Sequence, residues 1–417
     1  LDWQKELVVL EISSFWQLYG EAAKTTVGFF WKSGWAFVFG YCISAMIQAF
    51  VPKKNLTRYM GAPNVQSISL ATLFGAASSS CSFAALAAAR SLVQKGAHFI
   101  VAVAFMFAST NLVIELGVLI LIFLGWQYLA AELAGGVVLI AISSVVIKLT
   151  YPKNWISQAK KKVSEEAEAE ASFDWRKRIQ SKDGWYLVGR KFGDDWAMVW
   201  EEILIGFTVA GFVAVLVPPS FWSMIFLTHL AGTLPAWVIA LQNAAVAPFV
   251  AAATFIGSMG NIPLATVLNA NGVLFAGIMG FIYSDLMVPP LVQVNAKYYG
   301  WKLALYIAGT MFVSIVLTAL MLDAIFAVAG IIPEGRKAVS DITQFKLDYT
   351  FWMNLAAVAV VLTMLFFQRK YRQKQGRAHD HDMDHSGGVS IKRLIAYLFV
   401  MILLVGLVAF FLTSRIF

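Results

Sequence analysis

Two short stretches of the chain gather small and polar side chains inside apolar surroundings. The first is Ser78-Ser79-Ser80-Cys81-Ser82, four hydroxyls around one thiol. The second is Gly257-Ser258-Met259-Gly260-Asn261, with Pro248 before it and Pro263 after it. Hydroxyls donate and accept hydrogen bonds, and a thiolate binds soft metalloids. Ser79, Ser80, Cys81, Ser82, Ser258, Gly260 and Asn261 are therefore candidate substrate ligands, joined by Asn111 on another apolar run. Two carboxyls, Glu115 and Asp285, lie deep in apolar runs, where an ionisable group is expensive and defaults to function. They suit proton binding and release during a transport cycle. Glu115 is one helical turn from Asn111, so a continuous helix would face both in one direction. Glu132, Lys148 and Asp323 fall nearer the ends of their runs and are expected to reach the interface. The segment His379-Asp380-His381-Asp382-Met383-Asp384-His385 alternates ligand types. His379, His381 and His385 could hold a divalent metal weakly, in a regulatory role, without the spacing of a closed structural site.

Elements that cross a bilayer must position these groups. Of 417 residues, 59% are apolar and 13% charged, against roughly 25% charged in soluble chains. Mean hydropathy is +0.71. The net charge of +8 is no sign of nucleic-acid binding, because the basic residues sit in connections between apolar runs. Runs of the roughly 20 residues a crossing helix needs are 26–51, 99–124, 127–149, 197–217, 273–292, 303–332, 350–367 and 394–412. They lack the period-two alternation of barrel strands. No GxxxxGK[ST] loop is present, which argues against ATP-driven pumping by this chain. An intramembrane enzyme is disfavoured, since His98 and His229 fall near segment ends.

The two polar stretches interrupt further apolar segments, 66–94 and 236–270, and non-helical backbone at membrane depth must line protein or a cavity. Positive charge chooses between kinked spans and re-entrant hairpins. With both as hairpins, one side carries 24 Lys and Arg and the other five; as full spans the division is 12 against 17. The hairpin reading is preferred, with the 152–195 loop cytoplasmic and the N-terminus outside. An internal repeat supports it. Ser79–Ala87 matches Gly257–Ala265, QAFVP ending at Pro52 matches AVLVP ending at Pro218, and Ser109 aligns with Ser284, at offsets of 178, 166 and 175 residues. Three crossings per repeat invert the second half, a recurring transporter design with its site at the midplane. A short helix follows each break; Ser82 and Asn261 read as its N-caps and Pro263 suits its first turn. Two helix N-termini would then face one site and favour oxyanions or neutral oxo and hydroxo species.

At these motifs the chain resembles the predicted permease family that includes the organoarsenical efflux (ArsP-type) permeases. That family's element Cys-Ser-Cys-Ser-x-x-Pro-Leu-Ala stands here as Ser79-Ser80-Cys81-Ser82-Phe83-Ala84-Ala85-Leu86-Ala87. Ser79 replaces the first Cys and Ala85 the Pro. The basic turn follows from Arg90 to Gly96, then Ser109-Thr110-Asn111. The resemblance covers roughly residues 28–330 and implies a permease fold and solute export. The missing Cys departs from an arsenical pattern, because Cys42, on another helix, is the remaining thiol.

The expected fold is an all-α polytopic membrane protein with two inverted repeats, about eight crossings and two re-entrant or broken helical hairpins. Its divisions are an interfacial segment at 1–25, a first repeat at 26–151, the charged loop at 152–195, a second repeat at 196–332, and two added helices at 333–417 with the His/Asp-rich loop at 369–393. The expected function is a secondary-active permease of the bacterial inner membrane. It would export a small oxyanion or organometalloid with proton coupling and need no cofactor. A channel-like facilitator and a soft-metal or sulfur-compound transporter are the alternatives. Expected partners are the solute and the lipid bilayer, with homo-oligomerisation and a metal on the His/Asp loop left open.

Overall fold

The computed structural model describes residues 2–50, 60–78, 82–94, 96–150, 152, 179–254, 256–333, 338–375 and 391–413. Among the described residues the protein is built from helices, without strands. In hydrocarbon this is dictated by the backbone, whose N–H and C=O groups must be satisfied within the segment.

The first half comprises α1 (Asp2–Phe50), α2 (Val65–Ser78), α3 (Ser82–Gln94), α4 (Phe99–Asn111), α5 (Ile114–Phe123) and α6 (Trp126–Thr150). α7 (Lys182–Leu216) and the short α8 (Pro219–Ile225) lead into α9 (Ala236–Thr254), α10 (Ser258–Ala270), α11 (Phe275–Ile282), α12 (Pro289–Tyr299) and α13 (Trp301–Val328). α14 (Val339–Ile342), α15 (Tyr349–Gln375) and α16 (Ile391–Thr413) complete the chain. By length and composition, seven helices among the described residues can cross a membrane, or eight when α4 and α5 count as one span bent by 42°. The expected runs correspond to α1, α4 with α5, α6, α7, α13, α15 and α16, whereas run 273–292 falls on the short α11 and α12, and α9, an arm of the second interrupted segment, is itself long and apolar enough to cross. Segment 1–25 continues into α1, where Ala22 and Ala23 are fully buried and Tyr19 donates to the Ile402 carbonyl of α16.

Hydrogen bonds fix the course of the two interrupted segments. The His98 amide donates to the Met60 carbonyl at 2.9 Å, closing the base of α2–α3. Eleven residues along α4 from His98, Ser78 meets Ser109 at 2.9 Å. α2 and α4 therefore run in the same direction and pack on each other, and α3 returns along α4. Each arm is about 20 Å long, enough to pass the middle of a roughly 30 Å hydrocarbon layer. α9–α10 repeats the plan: Asn243 Oδ1 accepts from the Leu274 amide at the base, and α9 runs alongside α11. The bases lie at opposite ends of the bundle. The Tyr128 hydroxyl, two residues into α6, binds Asn269 at the end of α10, whereas Arg90 of α3 covers the Tyr298 ring at the end of α12.

Both crossings that flank the hairpins are themselves broken. α4 stops at Asn111, and α5 restarts after extended Val113. α11 stops at Ile282, a 3-10 turn covers Asp285–Met287, and Pro289 and Pro290 open α12. Proline at the first helical positions forfeits no hydrogen bond and presets the turn.

Candidate functional site

Four chain breaks meet at one buried polar centre. Ser82, the first residue of α3, donates to Asp285 Oδ2 at 3.2 Å and lies 3.4 Å from the Ser258 hydroxyl at the start of α10. Each hydroxyl carries one proton. Ser82 and Ser258 both face the Asp285 carboxyl, with Ser82 the stronger partner. Thr110 also faces the carboxyl. Its hydroxyl also lies 3.4 Å from the Met106 carbonyl and 3.3 Å from the Phe107 carbonyl one turn back, and Asn111 Nδ2 donates to its oxygen at 3.2 Å. Asp285 is 0% exposed, Ser82 2% and Thr110 1%. Asp285 Oδ1 and Asn111 Oδ1 are buried without a hydrogen-bond partner among the described residues. The centre is closed to both ends of the bundle and holds polar capacity that its own groups leave unused.

The sequence candidates divide. Ser82, Ser258, Asp285 and the Thr110–Asn111 pair come together. Ser79, Ser80 and Cys81 lie outside the described residues, as do His379, His381 and His385. Asn261 is fully buried, but its side chain serves the second break: Nδ2 donates to the Ile256 carbonyl at 3.3 Å, and Oδ1 accepts from Thr254 at 3.4 Å. α10 begins three residues before Asn261, with Gly257 as its N-cap, so Asn261 is no N-cap and Pro263 lies inside the helix. Gly260 is a contact point, because a Cβ there would lie 3.1 Å from Gly206 Cα and 3.0 Å from the Glu202 carbonyl.

Glu115 and Asn111 do not share a face, since the helix breaks between them. Glu115 packs against Gly40 of α1, where no side chain could fit, and its charge is felt by Asp195 of α7. Asp195 in turn accepts from Gln48 at 2.7 Å. These groups form a separate polar cluster among α1, α5 and α7.

Glu132 is the residue that sequence reading misplaced. It is 0% exposed rather than interfacial, while Lys148 is exposed and Asp323 half-buried. Its nearest charge is Asp285, and the Tyr283 hydroxyl stands beside it. Tyr128 one turn earlier and Gly135 one turn later mark the inward face of α6, and Gly135 leaves room for the Tyr283 hydroxyl. That Tyr-Glu-Gly spacing was the available signal.

Both helix N-termini are already faced by carboxyls. Asp285 meets α3 through Ser82, and a Cβ on Gly257 at the start of α10 would lie 2.6 Å from Glu202 Oε2. Positive helix ends favour such neighbours.

The sequence profile of a family described as "Predicted permease" matches residues 18–324. A Mycobacterium tuberculosis protein described as a permease, Rv2963, is 34% identical over 328 residues, covering 76% of this chain and 79% of that protein. No solved structure matches the chain. The matched region ends within α13, so α14–α16 lie outside it.

Proposed function

The chain belongs to the ArsP-type predicted permease family, a multi-pass protein of the cell membrane, and from its buried centre we propose a secondary-active permease that exports a small solute in exchange for protons. The family and the membrane-crossing helices support transport rather than catalysis. The single observation that carries the finer reading is the Ser82–Asp285 contact, a fully buried carboxyl joining the first broken hairpin to the second broken crossing.

The reading takes α2–α5 and α9–α12 as repeats related by inversion, with alternating access around their junction. Opposed hairpin bases and matched breaks support it. Asp285 binds the proton, and the solute binds to the Asp285 carboxylate together with the hydroxyls of Ser82, Ser258 and Thr110. Proton and solute then compete at Asp285, which is the condition for exchange. The carboxyls at both helix N-termini narrow the solute. A free oxyanion would meet negative charge at each end, whereas an uncharged hydroxo species or organometalloid finds donors and acceptors without repulsion.

The test uses everted inner-membrane vesicles with an imposed acid-inside gradient, offered a trivalent methylarsenical, arsenate and sulfite. Saturable accumulation of the uncharged arsenical, abolished by a protonophore and by Asp285→Asn, is expected. Non-saturable flux indifferent to the gradient would replace the permease with a channel.

A further inference from the structure

We propose that Glu132 is a second proton-binding group, exchanging a proton with Asp285 between the midplane and the end of the bundle where α6 begins. The inference rests on the reading of Asp285 as the proton site and extends it by one residue.

Position comes first. Glu132 is six residues into α6, about 9 Å along the helix axis. Its end of α6 is also the base of the α9–α10 hairpin, through Tyr128 and Asn269. Asp285 lies further in, at the level of Ser82 and Ser258. Tyr283, two residues before Asp285, reaches Glu132 from the α11 side. Glu132 thus stands between the centre and one surface, with a tyrosine beside it.

The hydrogen bonding is the second argument. Both carboxyl oxygens of Glu132 are buried without a hydrogen-bond partner among the described residues. The one hydroxyl proton of Tyr283 is directed at the Ala131 carbonyl at 2.9 Å, with the Glu132 carbonyl at 3.3 Å. It is therefore not available to a Glu132 carboxylate, and what Tyr283 presents to that side chain is a lone pair. Only a protonated Glu132 can use it, by donating its own O–H. A buried carboxyl beside a hydroxyl arranged to accept, with Asp285 as its neighbour, is built to carry a proton.

Among the described residues the neighbours leave no other charge to do this. α6 packs against α4, α5, α11 and α13. α4 has no ionisable side chain, Glu115 of α5 packs on α1, and Asp323 of α13 lies beside the Ala276 backbone. From the α11 side come Tyr283 and Asp285, the groups whose electrostatics bear on Glu132. Two carboxylates together at membrane depth repel without compensation, so at least one holds a proton. Transfer breaks the O–H bond on Glu132 and forms one on Asp285, leaving Glu132 as the carboxylate to be reprotonated from the α6 end. No other reactant is needed.

Infrared difference spectra of the full chain in liposomes, taken between acid and alkaline pH, read protonated carboxyls directly. Beside the bands of the Glu115 and Asp195 cluster, wild type is expected to show two such carbonyl bands, from Glu132 and Asp285, that titrate. Glu132→Gln should remove one and shift the midpoint of the other; Asp285→Asn should remove the other. If Asp285→Asn removes a band while Glu132→Gln leaves the wild-type spectrum and midpoints, the inference fails and the Asp285 reading stands. If Asp285→Asn changes nothing, that reading itself fails. Glu132→Asp keeps a carboxyl in the same space and carries the test where Glu132→Gln does not fold. It should retain both bands with one midpoint moved, and two unmoved midpoints overturn the proposal.

Discussion

The two hairpins enter from opposite ends with the same helix-reversal-helix plan, yet their tips do different work. The first turns Ser82 onto Asp285 and Ser78 onto Ser109, directing side chains outward to neighbouring elements. The second directs its polar groups inward. Asn261 and Thr254 close on the backbone of the break, and Gly260 lets α10 approach α7 at Gly206. Ser258 is its contact with the shared centre. The shared centre is thus uneven, one tip turned toward its neighbours and the other setting the spacing.

The largest effect that could break this contrast is at the spacing tip. A Cβ on Gly206 would lie 2.5 Å from Gly260 Cα. Gly206→Leu is expected to lower stability by about 3 kcal/mol, read as thermal melting in detergent, while Ser82→Ala melts close to wild type. Equal losses from both would erase the distinction. Next, Ser82→Ala should cut proton-coupled uptake about tenfold, or ~1.4 kcal/mol, and Ser258→Ala less, because its own hold on the carboxyl is weaker than that of Ser82. A larger loss from Ser258→Ala would reverse the assignment of the ligand-bearing tip. Thr254→Val removes the bonds to the Ile256 amide, at 3.3 Å, and to Asn261. A stability loss of about 1 kcal/mol, with the Michaelis constant unchanged, is expected; a changed constant would put the second tip in the binding site. The smallest effect belongs to Glu202→Gln at the start of α10, about 0.5 kcal/mol in the same melting assay.

Much of this arrangement was legible in the chain. Apolar runs locate the crossings because lipid demands about 20 apolar residues. Lys and Arg counts separated hairpins from spans because charge avoids one side of the membrane. The breaks inside 99–124 and 273–292 were hidden by that same hydropathy, which averages over an apolar helix whether it bends or not. Asn111 and Glu115 appeared to share a face for that reason. Glu132 was judged by its distance from the end of the run, but a helix face, not depth, decides burial. Its partner Tyr283 lies on a helix 151 residues away, beyond any local pattern. Asn261 resembled a cap because Asn-Ile-Pro is a common opening, yet Gly257 and Ser258 begin the helix earlier.

The central claim is that a proton and the solute compete at Asp285, and proton release on binding measures it directly. Purified protein in weakly buffered detergent is mixed with the solute that accumulates in vesicles, and a pH indicator follows the solution. Acidification that saturates with solute and disappears in Asp285→Asn is the predicted result. Saturable binding with no change in pH, or the same acidification in Asp285→Asn as in wild type, would contradict it.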